Sequence, residues 1–175
     1  KVDTMNSRVE WKGYKVLKTD QTTHFGTIRF ESGDVTIKEG KLQSGKFVAD
    51  INTLENIDLK DKQEMKTKLE SHLKSGDFFE VEKFPTASYE ITKVTEANGG
   101  DYNTLLDGNL TIKGITKPVQ FKANVTVADG NVNIATEPTD INREDFGLKF
   151  TLPLENGLLN KEINLQVLIK AMESK

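Results

Sequence analysis

Val119-Gln120-Phe121-Lys122-Ala123-Asn124-Val125-Thr126-Val127 alternates apolar and polar side chains without a break. A strand points successive side chains to opposite faces, so this stretch writes one apolar face and one wetted face. The pattern recurs in Val9 and Trp11, in Phe25, Ile28 and Phe30, and in Phe47, Ala49 and Ile51. It returns in Ala87, Tyr89 and Ile91, in Leu106, Leu110 and Ile112, and in Ile163, Leu165, Val167 and Ile169. Such repetition predicts an antiparallel sheet with water on one side and something apolar on the other. Whether packed side chains or a captured ligand fill the apolar side decides function.

Between these runs, Ser32-Gly33-Asp34, Glu39-Gly40-Lys41, Ala97-Asn98-Gly99-Gly100-Asp101 and Asp129-Gly130-Asn131 read as turns. Val35–Lys38 is then a short strand of its own, and Gly114 to Pro118 a connector. Gly108 marks a bulge or bend. Val132, Ile134 and the region to Ile141 form a further strand. The period changes between Asp58 and Gly76. Leu59, Met65, Leu69, His72 and Leu73 fall at helical spacing there, with Lys60, Lys62, Glu64, Lys66 and Lys68 around them. The spacing predicts an amphipathic helix over 58–75, with Asp58 as its N-cap and Gly76 just past its end. Roughly eight strands and one long helix, with no break in composition, fit a single β-barrel or sandwich domain over residues 1–175.

Composition narrows the function classes. A chain of 175 residues can bury a sizeable core. No run approaches the roughly 18 apolar residues of a membrane span, so no stable span is expected. The net charge of −3 and a pI near 5.5 argue against nucleic acid, which needs a concentrated basic face. Without cysteine there are no disulfides, thiolate zinc sites or thiol nucleophiles. The sequence opens at Lys1-Val2-Asp3 with no hydrophobic leader. That fits a mature periplasmic or secreted form whose signal peptide is gone, although a chain trimmed at that point would read the same.

Motifs for chemistry are sparse. His24 and His72 are the only histidines, and no His-x-x-x-His spacing occurs, so both read as structural or solvent-facing and no metal is expected. Gly-x-Ser-x-Gly and Gly-Lys-Ser/Thr are absent, and no pair among the 27 acids stands out for glycoside hydrolysis. No catalytic residue and no cofactor are assigned. Asn109-Leu110-Thr111 and Asn124-Val125-Thr126 match the glycosylation triplet within predicted strands, which reads as chance. Phe78-Phe79 has two readings, a latch for the helix C-terminus or a lining for the mouth of an apolar cavity. Asn142-Arg143-Glu144-Asp145-Phe146-Gly147 reads as a structural corner, with Arg143 on a carboxylate and Gly147 at an unusual backbone angle.

Three segments carry a resemblance. His72-Leu73-Lys74-Ser75-Gly76-Asp77-Phe78-Phe79-Glu80-Val81-Glu82-Lys83-Phe84-Pro85-Thr86-Ala87 resembles the helix-to-strand signature of the YceI-like family, the bacterial polyisoprenoid-binding proteins. Gly108-Asn109-Leu110-Thr111-Ile112-Lys113-Gly114-Ile115-Thr116-Lys117-Pro118-Val119 and Ile141-Asn142-Arg143-Glu144-Asp145-Phe146-Gly147-Leu148 follow in the family's order. The resemblance implies a lipocalin-like antiparallel barrel, exported, holding a long isoprenoid lipid without a catalytic residue. It also suggests a homodimer.

On that view the apolar faces supply the lining: Trp11, Ile28, Phe47, Ile51, Tyr89, Ile91, Leu106, Leu110, Phe121, Val125, Leu165 and Val167, with Phe78 and Phe79 at the mouth. Burying one five-carbon isoprene unit is worth roughly 4 kcal/mol gross. Three units match the roughly 12 kcal/mol of a nanomolar complex before the losses of immobilisation. A tail can thus supply affinity without a polar cluster, and a quinone, fatty acid or other prenyl lipid would serve equally. Three readings stand: a lipid carrier, a domain whose nine phenylalanines fill its own barrel, and an enzyme using His24 or His72 at the mouth. The first requires a tunnel with spare volume.

Overall fold

A computed structural model describes residues 1–16, 21–75, 79–97, 100–148 and 158–172. The alternating runs become strands β1 (Arg8–Val16), β2 (Gln21–Lys38), β3 (Lys41–Asn56), β4 (Thr86–Glu96), β5 (Thr104–Ile112), β6 (Ile115–Ala128), β7 (Asn131–Thr136), β8 (Thr139–Asn142) and β9 (Leu158–Met172). One helix, α1 (Gln63–Lys74), lies between β3 and β4. Strand order is β1-β2-β3-β4-β5-β6-β7-β9-β8, and β1 also pairs with β9, so the sheet closes on itself. All pairings are antiparallel, each strand joined to its neighbour in sequence until the last.

β7 and β8 share one stave. Asn131–Ala135 pair with the end of β9, and Thr139–Asn142 with its start. The break falls at Glu137-Pro138, where proline has no N–H for the ladder. Thr136 takes up the lost bond: its Oγ1 accepts the Val167 N–H at 2.8 Å. The result is an eight-stave antiparallel barrel with one helix. No helix among the described residues is long and apolar enough to cross a membrane.

Three of the hairpins turn on two residues: Glu39-Gly40, Lys113-Gly114 and Asp129-Gly130. Both residues of each have positive φ, between 52° and 79°. That is the type I′ geometry whose twist matches the flanking strands, and it is why glycine stands second. The Glu39-Gly40 and Asp129-Gly130 turns mark a hairpin end of the barrel, where Val2 and Met172 also lie. At the opposite, helix end sit α1, Phe79–Pro85, the Lys113-Gly114 turn and a 3-10 turn, Arg143–Phe146.

Several local expectations need correcting. The helix starts at Gln63, not Asp58, because the Asp58 carboxylate is occupied by β2 instead of capping. Its apolar face is narrow: Leu73 is buried and Leu69 half-buried, but Met65 is 52% exposed. Gly76 lies outside the described residues. Ser32-Gly33-Asp34 is not a turn; β2 runs through it with a bulge between Phe30 and Ser32. The Gly33 carbonyl there accepts the Val2 N–H, drawing the N-terminus onto the barrel. Pro118 belongs to β6, opposite Asn109. It is tolerated because β7 joins β6 only from Ala123 onward, leaving that flank with no neighbour in need of an N–H. The bulge expected at Gly108 falls on the partner strand, at Thr92 between Ile91↔Gly108 and Lys93↔Asp107.

Candidate functional site

The inward alternates of all eight staves meet in one apolar core. Within it is a cavity of about 80 Å³. Its wall is formed by Val9, Ile28, Phe30, Phe47, Ala49, Ile51, Ala87, Ser88 and Tyr89 on one side. Leu106, Leu110, Ile112, Phe121, Ile134, Thr136, Ile163, Leu165, Val167 and Ile169 form the rest, with Phe79 entering from the helix end. The volume is several times the roughly 10–15 Å³ that one water needs, and well below the ~300–1,000 Å³ of ordinary ligand pockets. The interior is neither plugged solid nor a ready tunnel. It is a narrow slot, and a long tail requires its walls to give way.

The wall's hydroxyls are largely committed to the fold. Tyr89 lies across Gly108, where an added Cβ would stand 2.6 Å from the ring. Its hydroxyl donates to the Val119 carbonyl at 2.7 Å and lies 3.2 Å from that of Leu106. Tyr89 therefore staples β4, β5 and β6 where β6 lacks its second neighbour. Burial, aided by the Asp107 charge, raises its pKa, so it stays a protonated donor. Its ring meets Phe121 edge-on at 5.1 Å.

Ile28, Phe47, Ile51, Phe79, Tyr89, Leu106, Leu110, Phe121, Leu165 and Val167 border the slot as the alternation suggests. Trp11, Ile91 and Val125 do not. The indole of Trp11 lies over Gly26, filling the space that glycine leaves. Ile91 faces Gly45 and Gly108 in register and is buried toward the hairpin end. Val125 is half-buried further toward that end, opposite Ile134. Phe78 lies outside the described residues. Val9, Phe30, Ala49, Ala87, Ile112, Ile134, Ile163 and Ile169 also border the slot, and following each apolar face along its whole strand finds them.

A polar cluster at the helix end has no counterpart in the sequence motifs. Asn56 is fully buried opposite Gly26. Its Nδ2 donates to Asp58 Oδ1 at 2.6 Å and to the Phe25 carbonyl at 3.2 Å, while its Oδ1 accepts the Leu59 N–H at 2.9 Å. Glu70 of α1 accepts the Asn56 N–H at 2.7 Å, which docks the helix. Asp58 Oδ1 also accepts the Phe25 N–H at 2.8 Å, and Oδ2 meets His24 Nδ1 at 2.7 Å. Burial raises the Asp58 pKa, but the hydrogen bonds from Phe25, His24 and Asn56 outweigh it and hold the carboxyl below its usual value. Beside this cluster, Trp11 Nε1 is buried without a hydrogen-bond partner, the one such side-chain atom among the described residues.

The corner after β8 matches its reading in backbone terms. Asn142 Oδ1 accepts the Glu144 N–H at 3.0 Å, and Gly147 is left-handed at φ 68°. The buried Arg143 donates to the Leu148 carbonyl at 2.7 Å. This corner covers the flank of β6 that β7 leaves open.

Comparison with known proteins places the chain among relatives. The model of the YceI-like domain matches residues 1–171. A UPF0312 protein of Pseudomonas aeruginosa is 31% identical over 170 residues, covering 94% of this chain and 78% of its own. The crystal structure of Burkholderia cenocepacia BcnA superimposes with a TM-score of 0.74 at 20% identity, covering 98% of this chain and 100% of that one. A polyisoprenoid-binding domain of Saccharophagus degradans, implicated in plant cell wall breakdown, gives 0.68 at 15% identity over 99% and 97% of the two chains.

Proposed function

Because the chain belongs to the YceI-like family, we propose that its barrel binds an amphiphilic lipid of the isoprenoid type, to carry or sequester it without catalysis. The observation that carries this reading is the apolar slot at the barrel's centre, walled by side chains from every stave. The polyisoprenoid-binding domain of matching fold supports the same class of ligand. On this reading the protein acts in the periplasm or outside the cell, and it does so alone or as a homodimer. His24 suits tethering better than acid–base work: its ring is oriented by Asp58, and no hydroxyl is among its hydrogen-bond partners.

The slot's small volume favours a second reading, a stress-associated domain whose barrel is filled by its own side chains. Native mass spectrometry separates the two. Protein purified without detergent and incubated with a C15 prenyl alcohol is expected to gain the mass of one lipid per chain. Ala49→Leu, which fills the slot from β3, is expected to gain none. A wild-type chain that takes up no lipid overturns the carrier reading.

A further inference from the structure

We infer that the helix end of the barrel interior seats the head-group oxygen of the lipid between Trp11 Nε1 and His24 Nε2, so that the ligand is an alcohol and not a plain hydrocarbon. This rests on the carrier reading and narrows it.

The seat follows from register. β1 carries Trp11-Lys12-Gly13 and β2 carries His24-Phe25-Gly26. Antiparallel pairing sets Trp11 opposite Gly26 and Gly13 opposite His24. The glycine opposite Trp11 leaves room for the indole on the inward surface. The indole does lie over Gly26: a Cβ there would stand 2.6 Å from Cζ2. Val9 and Ile28, paired two rungs back on the same face, already border the slot, as does Leu165 directly opposite Trp11 on β9. Trp11 thus stands just beyond the slot's wall on that face, with His24 two residues from Gly26 toward the helix end.

Both rings present an unused polar atom. Trp11 is 8% exposed and its N–H has no acceptor. A buried donor left unmade is costly, so an acceptor arriving there is favoured by more than the bond itself. His24 Nδ1 is fixed by Asp58 Oδ2. A carboxylate only accepts, so Nδ1 carries a proton toward it, and in the neutral form of the ring Nε2 is the atom with the lone pair. The dyad is itself held, since Asp58 Oδ1 takes the Phe25 N–H and the Asn56 amide. A hydroxyl alone among simple head groups accepts from an indole N–H and donates to an imidazole lone pair at once. A carbonyl uses only the first, and a hydrocarbon neither.

Trp11 is the only tryptophan, so it reports on its own hydrogen bond. Titration of detergent-free protein with a C15 prenyl alcohol is expected to shift its emission to longer wavelength; the C15 prenyl hydrocarbon is expected to leave it in place. By native mass spectrometry the alcohol should bind roughly tenfold tighter than the hydrocarbon. Trp11→Phe should remove most of that preference while keeping the hydrocarbon's affinity, which also reports that the variant is folded. Equal binding of the two probes, or an unchanged preference in Trp11→Phe, overturns the seat and leaves the carrier reading standing. Failure of the wild-type chain to bind either probe overturns both.

Discussion

Two aromatic side chains inside the barrel lie over glycines of the neighbouring strand, and their polar tips meet opposite fates. Tyr89 crosses Gly108 and spends its hydroxyl on the Val119 carbonyl, with that of Leu106 close by. Trp11 crosses Gly26 and leaves its N–H without a partner. The geometry is shared and the electrostatics are not. A tip bonded to the backbone belongs to the wall, where it ties three strands together at the point β6 loses its second neighbour. A tip left open in a buried place lowers stability until an acceptor meets it.

The largest effect tests the shared geometry. A Cβ at residue 26 would overlap the Glu55 carbonyl oxygen and stand 2.6 Å from the indole. At residue 108 it would overlap the Glu90 carbonyl oxygen and stand 2.6 Å from Tyr89 Cζ. Gly26→Ala and Gly108→Ala should each cost about 3 kcal/mol, the upper end of overpacking, by urea unfolding. A loss under about 1 kcal/mol at either site would mean the ring is not seated on the glycine.

Next comes the difference between the tips. Tyr89→Phe strips the Val119 carbonyl of its donor and should destabilise by about 1–3 kcal/mol. The cluster beside Trp11 adds a pH test. The Asp58 pKa is depressed in the folded chain, so its stabilisation is full above the unfolded value of about 3.9 and is lost as pH falls through the lower folded value. Asp58→Asn should therefore be less stable than wild type by about 1–2 kcal/mol at pH 6, with the gap closing below about pH 4. A gap that persists in acid would assign the loss to packing. The smallest effect is at Trp11: Trp11→Phe removes a donor that nothing satisfies but also the part of the ring seated on Gly26, so the two should offset to within about 1 kcal/mol in the lipid-free protein. A loss of about 3 kcal/mol or more would mean that the open N–H costs the fold little.

The barrel was legible because alternation is a local property. Val119–Val127 and its repeats dictate which faces point inward, and the slot's wall follows from them. The helix boundary was not legible, because Asp58 has two uses and local rules see only the cap. Its choice of the β2 backbone and His24 depends on residues more than thirty positions away. The same holds for the aromatic–glycine seats. Nothing in Trp11-Lys12-Gly13 alone says that Gly26 will lie opposite; only the register does. Pro118 misled for a related reason, since its tolerance rests on how far β7 extends along β6. The slot's narrow width is a sum over all eight staves, which no single segment states.

The most direct test is a crystal structure of the protein with a C15 prenyl alcohol. The tail should lie between Phe121, Tyr89, Leu165 and Val167 in a widened slot, with its oxygen at Trp11 Nε1. Lipid on the outer surface, over a slot unchanged at about 80 Å³, would contradict it.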